Sequence, residues 1–327
     1  MNYIVFDLEW NQSNDRFNRD LGLPFEVLEI GAIKLNRWFK PVDKFEVVIK
    51  PQIYHYINYI TNRIVHLTAE ELENGKPFPI AMNEFLEWCG KDYIFCIWGT
   101  SDITELQRNM MYYGMDMLSD GPLKYYDVQK FFSIAYEDGK KRRALETAVD
   151  FLGIEKDAPF HRAYDDAYYT SKVLERVRAY KPKTRRYVSY DVFIAPQTKK
   201  DEIEVNFKTY YKYISREFPD KTAAIEDKKV SSVKCYKCGR PASMKIDWFS
   251  VNGKHYFCIA HCKKHGYLKG KVRMKKTDDG NVFVVKTLKL VPKETAQEIA
   301  KKQDKLRLQR LEKRRAKKDG GYDHSRE

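Results

Sequence analysis

Over the first 180 positions the apolar residues come in short runs, and the runs switch between a period of two and a period near 3.6. Residues 3–8, 27–35 and 45–50 read as three strands. Residues 79–89 carry apolar side chains on one helical face, with a proline at the start. A fourth strand is expected over 93–98, then a helix from about 101 to 113 and a short fifth strand over 123–127. Helices follow over 128–136, 143–152 and 163–180. The last is the clearest, because Ala163, Ala167, Thr170, Leu174 and Val177 fall on one stripe. Lys181-Pro182 ends it, since proline disfavours helix in the residue before it. This order predicts an α/β domain with a mixed central sheet and helices on both faces.

Beyond 182 the pattern changes. Residues 183–230 mix basic, aromatic and acidic side chains with no sustained period. From 233 to about 291 a small β-rich unit is expected, with strands over 271–276 and 282–290 and the turn Asp278-Asp279-Gly280-Asn281 between them. Residues 293–318 lack Gly and Pro and read as a basic helix that Gly320-Gly321 stops, with the final residues expected to be disordered. The expected division is therefore 1–180, a linker with some structure of its own over 181–230, a β-rich unit over 231–291 and a basic helical tail over 292–327.

Charge sharpens this division. The 327 residues carry a net charge of +14, yet residues 1–180 hold 22 Lys and Arg against 28 Asp and Glu, while residues 181–327 hold 38 against 18. The basic excess lies wholly in the second part, which a polyanion would meet first. No apolar run is long enough to span a membrane. The start, Met1-Asn2-Tyr3-Ile4-Val5-Phe6, lacks the basic beginning and cleavage site of a signal peptide, so a cytoplasmic protein is expected.

Three motifs carry candidate chemistry. In Phe6-Asp7-Leu8-Glu9-Trp10-Asn11, strand alternation points Asp7 and Glu9 the same way. Two carboxylates so placed repel unless a cation lies between them, although such pairs also occur on plain exposed strands. Trp98-Gly99-Thr100-Ser101-Asp102 lies at the end of the fourth strand, where α/β folds build sites. Ser101 or Asp102 could equally cap the helix there. His161-Arg162-Ala163-Tyr164-Asp165-Asp166 opens the last helix and offers a group that titrates near neutrality.

Together these motifs resemble the DEDDh exonucleases of the DnaQ-like superfamily: Asp-x-Glu on the first strand, Asp after the fourth, and His-x4-Asp opening the last helix. The resemblance covers about residues 1–180, and Val27–Ala32 and residues 145–154 look like that family's second strand and the helix before its third motif. It is closest to the Eri/KapD-like branch, several of whose members act on RNA, with a departure at Leu67-Thr68-Ala69, where many members have a glycine. The sister group has tyrosine where Arg162 stands, so the histidine type is favoured. The resemblance implies an RNase H-like sheet and a 3′→5′ exonuclease acting on single-stranded 3′ ends, RNA favoured over DNA. It implies that Asp7, Glu9, Asp102 and Asp166 hold two Mg²⁺ or Mn²⁺ ions, with His161 as general base. The His-x4-Asp spacing selects Asp166 over its neighbour Asp165. Trp10 offers a ring for a terminal base, or simply packs. The alternatives are a DNA exonuclease of proofreading or repair type and a catalytically silent nucleic-acid-binding protein.

Of six cysteines, Cys89 and Cys96 stand in apolar surroundings as core thiols, and the other four cluster. Cys235-Tyr236-Lys237-Cys238-Gly239 and Cys262-Lys263-Lys264-His265-Gly266 are matched knuckles, each with two ligand types three apart and then glycine. Cys235, Cys238, Cys262 and His265 would hold one structural Zn²⁺, with Cys258 an alternative for His265 and His261 a weaker one. The unit resembles zinc ribbons. Around it, Lys263, Lys264, Lys269, Lys271, Arg273, Lys275 and Lys276 are candidate phosphate contacts, as are Arg185, Arg186 and the run Lys140, Lys141, Arg142, Arg143.

Overall fold

A computed structural model describes residues 1–12, 22–54 and 56–319, with residue 185 and residues 316–319 described by backbone only. The expected stop at Gly320-Gly321, the disordered end and the Arg185 side chain lie outside the described residues. Two compact units are present, Met1–Phe193 and Ile194–Glu327. Among the described residues, no helix is long and apolar enough to cross a membrane.

The first unit runs β1 (Asn2–Gln12), β2 (Phe25–Leu35), β3 (Pro41–Val48), α1 (Tyr59–Ile64), α2 (Ala69–Glu73), α3 (Phe78–Cys89), β4 (Tyr93–Ile97), α4 (Ser101–Tyr112), β5 (Lys124–Asp127), α5 (Val128–Tyr136), α6 (Leu145–Phe151), α7 (Ala163–Tyr180) and β6 (Ser189–Tyr190). Its sheet has the order β3-β2-β1-β4-β5-β6. β1 is antiparallel to β2 and parallel to β4, so the sheet is mixed, as the pattern predicts. Alternation along β1 divides the interior in two. Ile4, Phe6 and Leu8 pack with Phe85 of α3 and Leu106 of α4. Tyr3 and Val5 face the other way, against Phe131 of α5, Ala148 of α6 and Val173 of α7. Asp7 and Glu9 continue this second set, past the point where the apolar layer ends. Cys89 and Cys96 are buried, one in each core, as expected.

The short helices α1 and α2 fall below the length at which a helical period can be read. Their caps were nevertheless written in the chain. Asn58 accepts from Ile60 N at the start of α1. Thr68 and Glu71 form a capping box around α2. Asn11 and Glu26, both buried, hold the loop leading into α1. Asn11 Oδ1 accepts from Asn58 N at 2.9 Å, and the Glu26 carboxylate accepts the N–H groups of Gln52, Ile53 and Tyr54.

Residues 181–230, expected as a linker, are shared between the two units. Strand β6 pairs with β5, while β7 (Ile203–Asn206) and β8 (Tyr211–Phe218) belong to a second sheet. With α8 (Lys221–Glu226), α9 (Lys228–Ser231), β9 (Ser243–Ser250), β10 (His255–Cys262), β11 (Gly266–Lys276), β12 (Val282–Val291) and α10 (Lys293–Asp319), they make the second unit. Its antiparallel sheet has the order β7-β8-β12-β11-β10-β9 and is larger than the small unit expected. Strand β8 hides from pattern reading because a register shift opposite Phe283 and Val285 buries Tyr213, Ile214 and Ser215 in succession. The β11–β12 turn matches expectation, closed by Thr277 N to Asn281 O at 3.0 Å with Gly280 at φ 83°.

α7 lies directly on β2 at Gly31. A Cβ there would stand 2.0 Å from the Tyr164 backbone nitrogen and 2.2 Å from the Ala163 carbonyl carbon. Both obstacles are backbone, so no side chain can turn aside. Gly31→Ala should therefore destabilise the protein by about 1–3 kcal/mol, the usual cost of overpacking. Urea unfolding of the purified variant checks this, and a loss below about 0.5 kcal/mol would show that α7 can lift away freely.

Candidate active site

β1 outruns its partner on one side. The last β1–β4 pair is Val5 with Cys96, whereas pairing to β2 continues, setting Asp7 opposite Gly31 and Glu9 opposite Glu29. Gly99, at φ 104°, turns the chain from β4 into α4. The N-cap, Thr100, makes no side-chain cap. Instead Asp102, only 4% exposed, accepts the N–H of Leu8 along with its own, taking a donor that the parted strands leave over.

From the other side comes the start of α7. His161 adopts φ 69°, a left-handed conformation that histidine tolerates better than most side chains. The turn brings its N–H 3.3 Å from Asp166 Oδ2 and leaves its ring exposed. Ligand atoms of Glu9, His161 and Asp166 lie within 4.8 Å of one another. Asp166 Oδ1 is buried with no hydrogen-bond partner.

The carboxyls resist ionising together. Burial, then Asp102, Asp166, Glu9 and Glu29, push Asp7 well above the usual carboxylate range. Burial, then Asp166, Glu29 and Asp102, raise Glu9 to about 8 against the pull of Arg162. Burial raises Asp102 to about 7, opposed by its N–H bonds, and Asp166 to about 6, opposed by the His161 N–H. A crowded set of oxygen donors, one of them orphaned, suits a hard divalent cation.

One buried pair fixes this geometry. Arg162 Nη2 reaches Glu29 Oε1 at 2.7 Å and Nε reaches the same carboxylate at 3.0 Å, with Glu29 fully buried. The second oxygen accepts from Ala163 N at 2.9 Å. Arg162 also meets Glu71 of α2 at 3.1 Å.

In the second unit, Cys235, Cys238, Cys262 and His265 bring their donor atoms within 4.8 Å of one another. Sulfur donors about 2.3 Å from a common tetrahedral centre stand about 3.8 Å apart. Cys238 Sγ and Cys262 Sγ are 3.8 Å apart, Cys262 Sγ and His265 Nδ1 3.8 Å, and Cys235 Sγ and His265 Nδ1 3.4 Å. Gly239 (φ 71°) and Gly266 (φ 85°) let each knuckle turn. Against burial, the N–H groups of Lys264 and His265 bring the Cys262 thiol down to about 6, which favours the thiolate. Neither alternative ligand joins the quartet. Cys258 lies four residues, about 13 Å, along β10. Its Sγ sits under Gly270, where an added Cβ would come within 2.3 Å. His261 is next to Cys262 and so faces the other side of the strand, where its ring meets Tyr267 at 4.9 Å.

Comparison with known proteins identifies the first unit. The profile of the family described as Exonuclease (RNase_T) matches residues 4–174, more than half of the chain. The chain belongs to this exonuclease family. The 3′-5′ exoribonuclease 1 of Rattus norvegicus is 18% identical over 163 residues, 46% of this chain and 46% of that protein, and the Mus musculus protein matches equally. The chain thus spans about half the length of the curated relatives it matches. Among solved structures, the nuclease domain of 3′hExo, a DEDDh family member bound to rAMP, is 15% identical with a TM-score of 0.47, covering 54% of this chain and 92% of that one. Cell-death related nuclease 4 is 13% identical with a TM-score of 0.46, covering 63% and 68%.

The exonuclease domain therefore gathers Asp7, Glu9, Asp102, His161 and Asp166 at one end of its central strand. Asp165, raised by burial, lies in the field of Arg162, Glu29 and Asp157 and itself raises Asp166. The Trp10 ring packs on Phe25 at 5.7 Å. Of the basic run, Arg142 pairs with buried Asp127 at 2.9 Å and Arg143 with Glu137 at 2.8 Å, leaving Lys140 and Lys141 exposed. Sequence reasoning missed Glu29 and Arg162 as a pair. Their signal was a Glu set between the apolar Leu28 and Ile30 of β2 and an Arg between two site residues.

Raised carboxyl pKa values set the sign of a pH effect. The folded exonuclease domain binds protons on these carboxyls that the unfolded chain releases near pH 4, so without metal the stability they contribute is fully present below about pH 4. That stability should fall as pH rises through about 6 to 8, the range of Asp166, Asp102 and Glu9. Mg²⁺ or Mn²⁺ should reverse the trend, raising the melting temperature by about 5–10 °C at a hundred times its dissociation constant. The rise should be larger at pH 8 than at pH 6. Scanning fluorimetry with metal and with chelator tests this, and equal melting curves at pH 8 would contradict it.

Proposed function

We propose that the protein is a 3′→5′ exonuclease that hydrolyses single-stranded nucleic acid, RNA in preference to DNA. The buried, unpartnered Asp166 Oδ1 within a cluster of four raised carboxyls is the observation that carries this reading. Family membership supports the chemistry. The relatives named 3′-5′ exoribonuclease 1 support direction and sugar.

Asp7, Glu9, Asp102 and Asp166 would hold two Mg²⁺ or Mn²⁺ ions, which when bound would supply water activation and charge stabilisation at the leaving 3′ oxygen. Asp7 is central, since it lies in the field of all three other carboxyls. His161 stands at the mouth, exposed, with its ring free of any protein hydrogen bond among the described residues. In this reading it would take the proton from the attacking water. The left-handed turn, tied to Asp166 through the His161 N–H, holds the imidazole beside the carboxylates. Tyr56 and Tyr59 are 83% and 74% exposed on the loop and helix that Asn11 anchors to β1, and they offer rings on which a terminal base could stack.

In the second unit we assign one structural Zn²⁺ to Cys235, Cys238, Cys262 and His265, on the donor spacing given above. The knuckles join β10 to β11 and precede β9, so an ion there would fix three strands of the sheet at one end. Metal analysis should give about one zinc per wild-type chain, and Cys238→Ser should lose most of it. Retained stoichiometric zinc in Cys238→Ser would refute the ligand set.

Two substitutions test the catalytic reading. Asp7→Asn should abolish hydrolysis and leave a folded protein, since it removes one charge from a repelling cluster. His161→Ala should lower turnover about 10²–10⁴-fold while retaining metal binding. The decisive assay is a time course on 3′-labelled and 5′-labelled RNA and DNA strands with Mg²⁺, Mn²⁺ or chelator. Mononucleotide release from the 3′ end is expected. Near-normal turnover by a well-folded Asp7→Asn protein would end the proposal.

A further inference from the structure

The two faces of the second sheet carry different chemistry. On β11, Leu268, Val272 and Met274 point inward to the apolar clusters beside the knuckles and α8. Lys269, Lys271 and Arg273 alternate with them and share the outer face. Across the ladder Lys269 stands opposite Lys289 of β12, a like-charge pairing that destabilises a sheet. On the β10 side the partners of Lys269, Lys271 and Arg273 are Ile259, Phe257 and His255.

α10 adds to this row rather than neutralising it. Its first turns bury Ala296 and Ile299 on Ile259. One turn on, Lys302 lies 5.1 Å from the centre of the Phe257 ring, and Lys269 lies 5.3 Å from the same ring. The positive field is felt by its own members. Burial, then Lys302 and Lys271, push Lys269 below its ordinary range, with Glu298 alone opposing. Burial, then Lys271, Arg273, Lys254 and Lys302, do the same to His255. Three acidic groups of this unit, Glu202, Glu204 and Asp227, are taken up by Arg216 and Lys229. Among the described residues, Lys269, Lys271, Arg273 and Lys302 have no ion-pair partner.

We propose that this outer face, Lys269, Lys271 and Arg273 of β11 with Lys302 of α10, is a docking surface for the phosphodiester backbone of a single nucleic-acid strand. It rests on the exonuclease reading only for the choice of polyanion. Like charges crowded by folding gain most from a partner that brings its own negative row. Cations two residues apart on a strand repeat every 6.6–6.8 Å or so, a spacing that an extended strand of phosphates can follow. Phe257 and His255 beside the row offer faces for bases without selecting among them. The contacts are to phosphate, so binding should be insensitive to sequence and steeply salt-dependent.

The test uses the full chain and a 5′-fluorescein 30-mer of oligouridylate, with anisotropy read across a salt series in chelator so that no cleavage occurs. The variant Lys271→Glu/Arg273→Glu/Lys302→Glu should bind at least tenfold more weakly at low salt. Its slope of log affinity against log salt should be shallower by about 2, from three lost phosphate contacts at about 0.7 each. The milder Lys271→Gln/Arg273→Gln should show an intermediate loss, and wild-type zinc content in both would show an intact unit. Hydrolysis of a trinucleotide with Mg²⁺ should be unchanged in both. Wild-type affinity and slope in the triple variant would overturn the proposal. So would a loss of binding to vesicles with 30 mol% phosphatidylserine without loss of oligouridylate binding, since the face would then serve a membrane. If the wild type binds the strand through this face yet cleaves neither RNA nor DNA, the exonuclease reading fails and this one stands.

Discussion

The Arg162–Glu29 pair ties the helix that brings Asp166 to the strand beside Asp7 and Glu9. Two guanidinium nitrogens meet one fully buried carboxylate, whose other oxygen receives the first N–H of α7. Removing one partner would leave a buried charge unmatched, a loss of about 3–5 kcal/mol. Apolar packing alone would let α7 slide or rotate over β2, because burial has no direction. The pair, with Gly31 opening the space beneath, fixes where α7 begins. His161 lies one residue before that anchor and Asp166 four residues after it. The whole candidate site therefore depends on a contact made by neither of the motif positions it serves.

Around that anchor the structure accepts local cost. Four carboxyls stand where burial and neighbouring acids raise each of them, and His161 occupies a backbone region that costs a non-glycine residue on the order of 1–3 kcal/mol. The surrounding cores are ordinary: aromatic and aliphatic side chains on both sheet faces, almost all fully buried. The crowded carboxyls and the His161 turn lie together at one end of β1 and before α7, where a function that binds cations and handles a proton needs them, while Phe39, at φ 65°, is a departure outside the site.

The second unit sorts its charges by face. Arg216 and Lys229 lie among Glu202, Glu204 and Asp227 in a compact network, and Lys286, almost fully buried, gives its ammonium protons to the carbonyls of Lys229, Val230 and Ser232. Lys269, Lys271 and Arg273 of β11 and Lys302 of α10 have no ion-pair partner among the described residues. This segregation cannot be read from net charge, since a unit of the same composition could have been neutralised patch by patch.

By itself the sequence determined what each residue faces. Period two along β1 sets Asp7 and Glu9 on one side, period 3.6 sets the buried stripe of α7, and a knuckle spelling with glycine at Gly239 and Gly266 sets the ligand spacing. Each is a local consequence of backbone geometry, legible without knowing what lies opposite. Tertiary structure decided what lies opposite. Glu29 and Arg162 meet across 133 residues of chain, a distance no period spans. Residues 211–218 joined the second sheet with a register shift that broke their alternation. His265, not Cys258, completed the cysteine quartet because Cys258 sits farther along β10, beneath Gly270. Asp102, at the start of α4, meets an N–H left over on Leu8 of β1. These outcomes turn on pairing between segments, and pairing is settled by packing the whole chain at once.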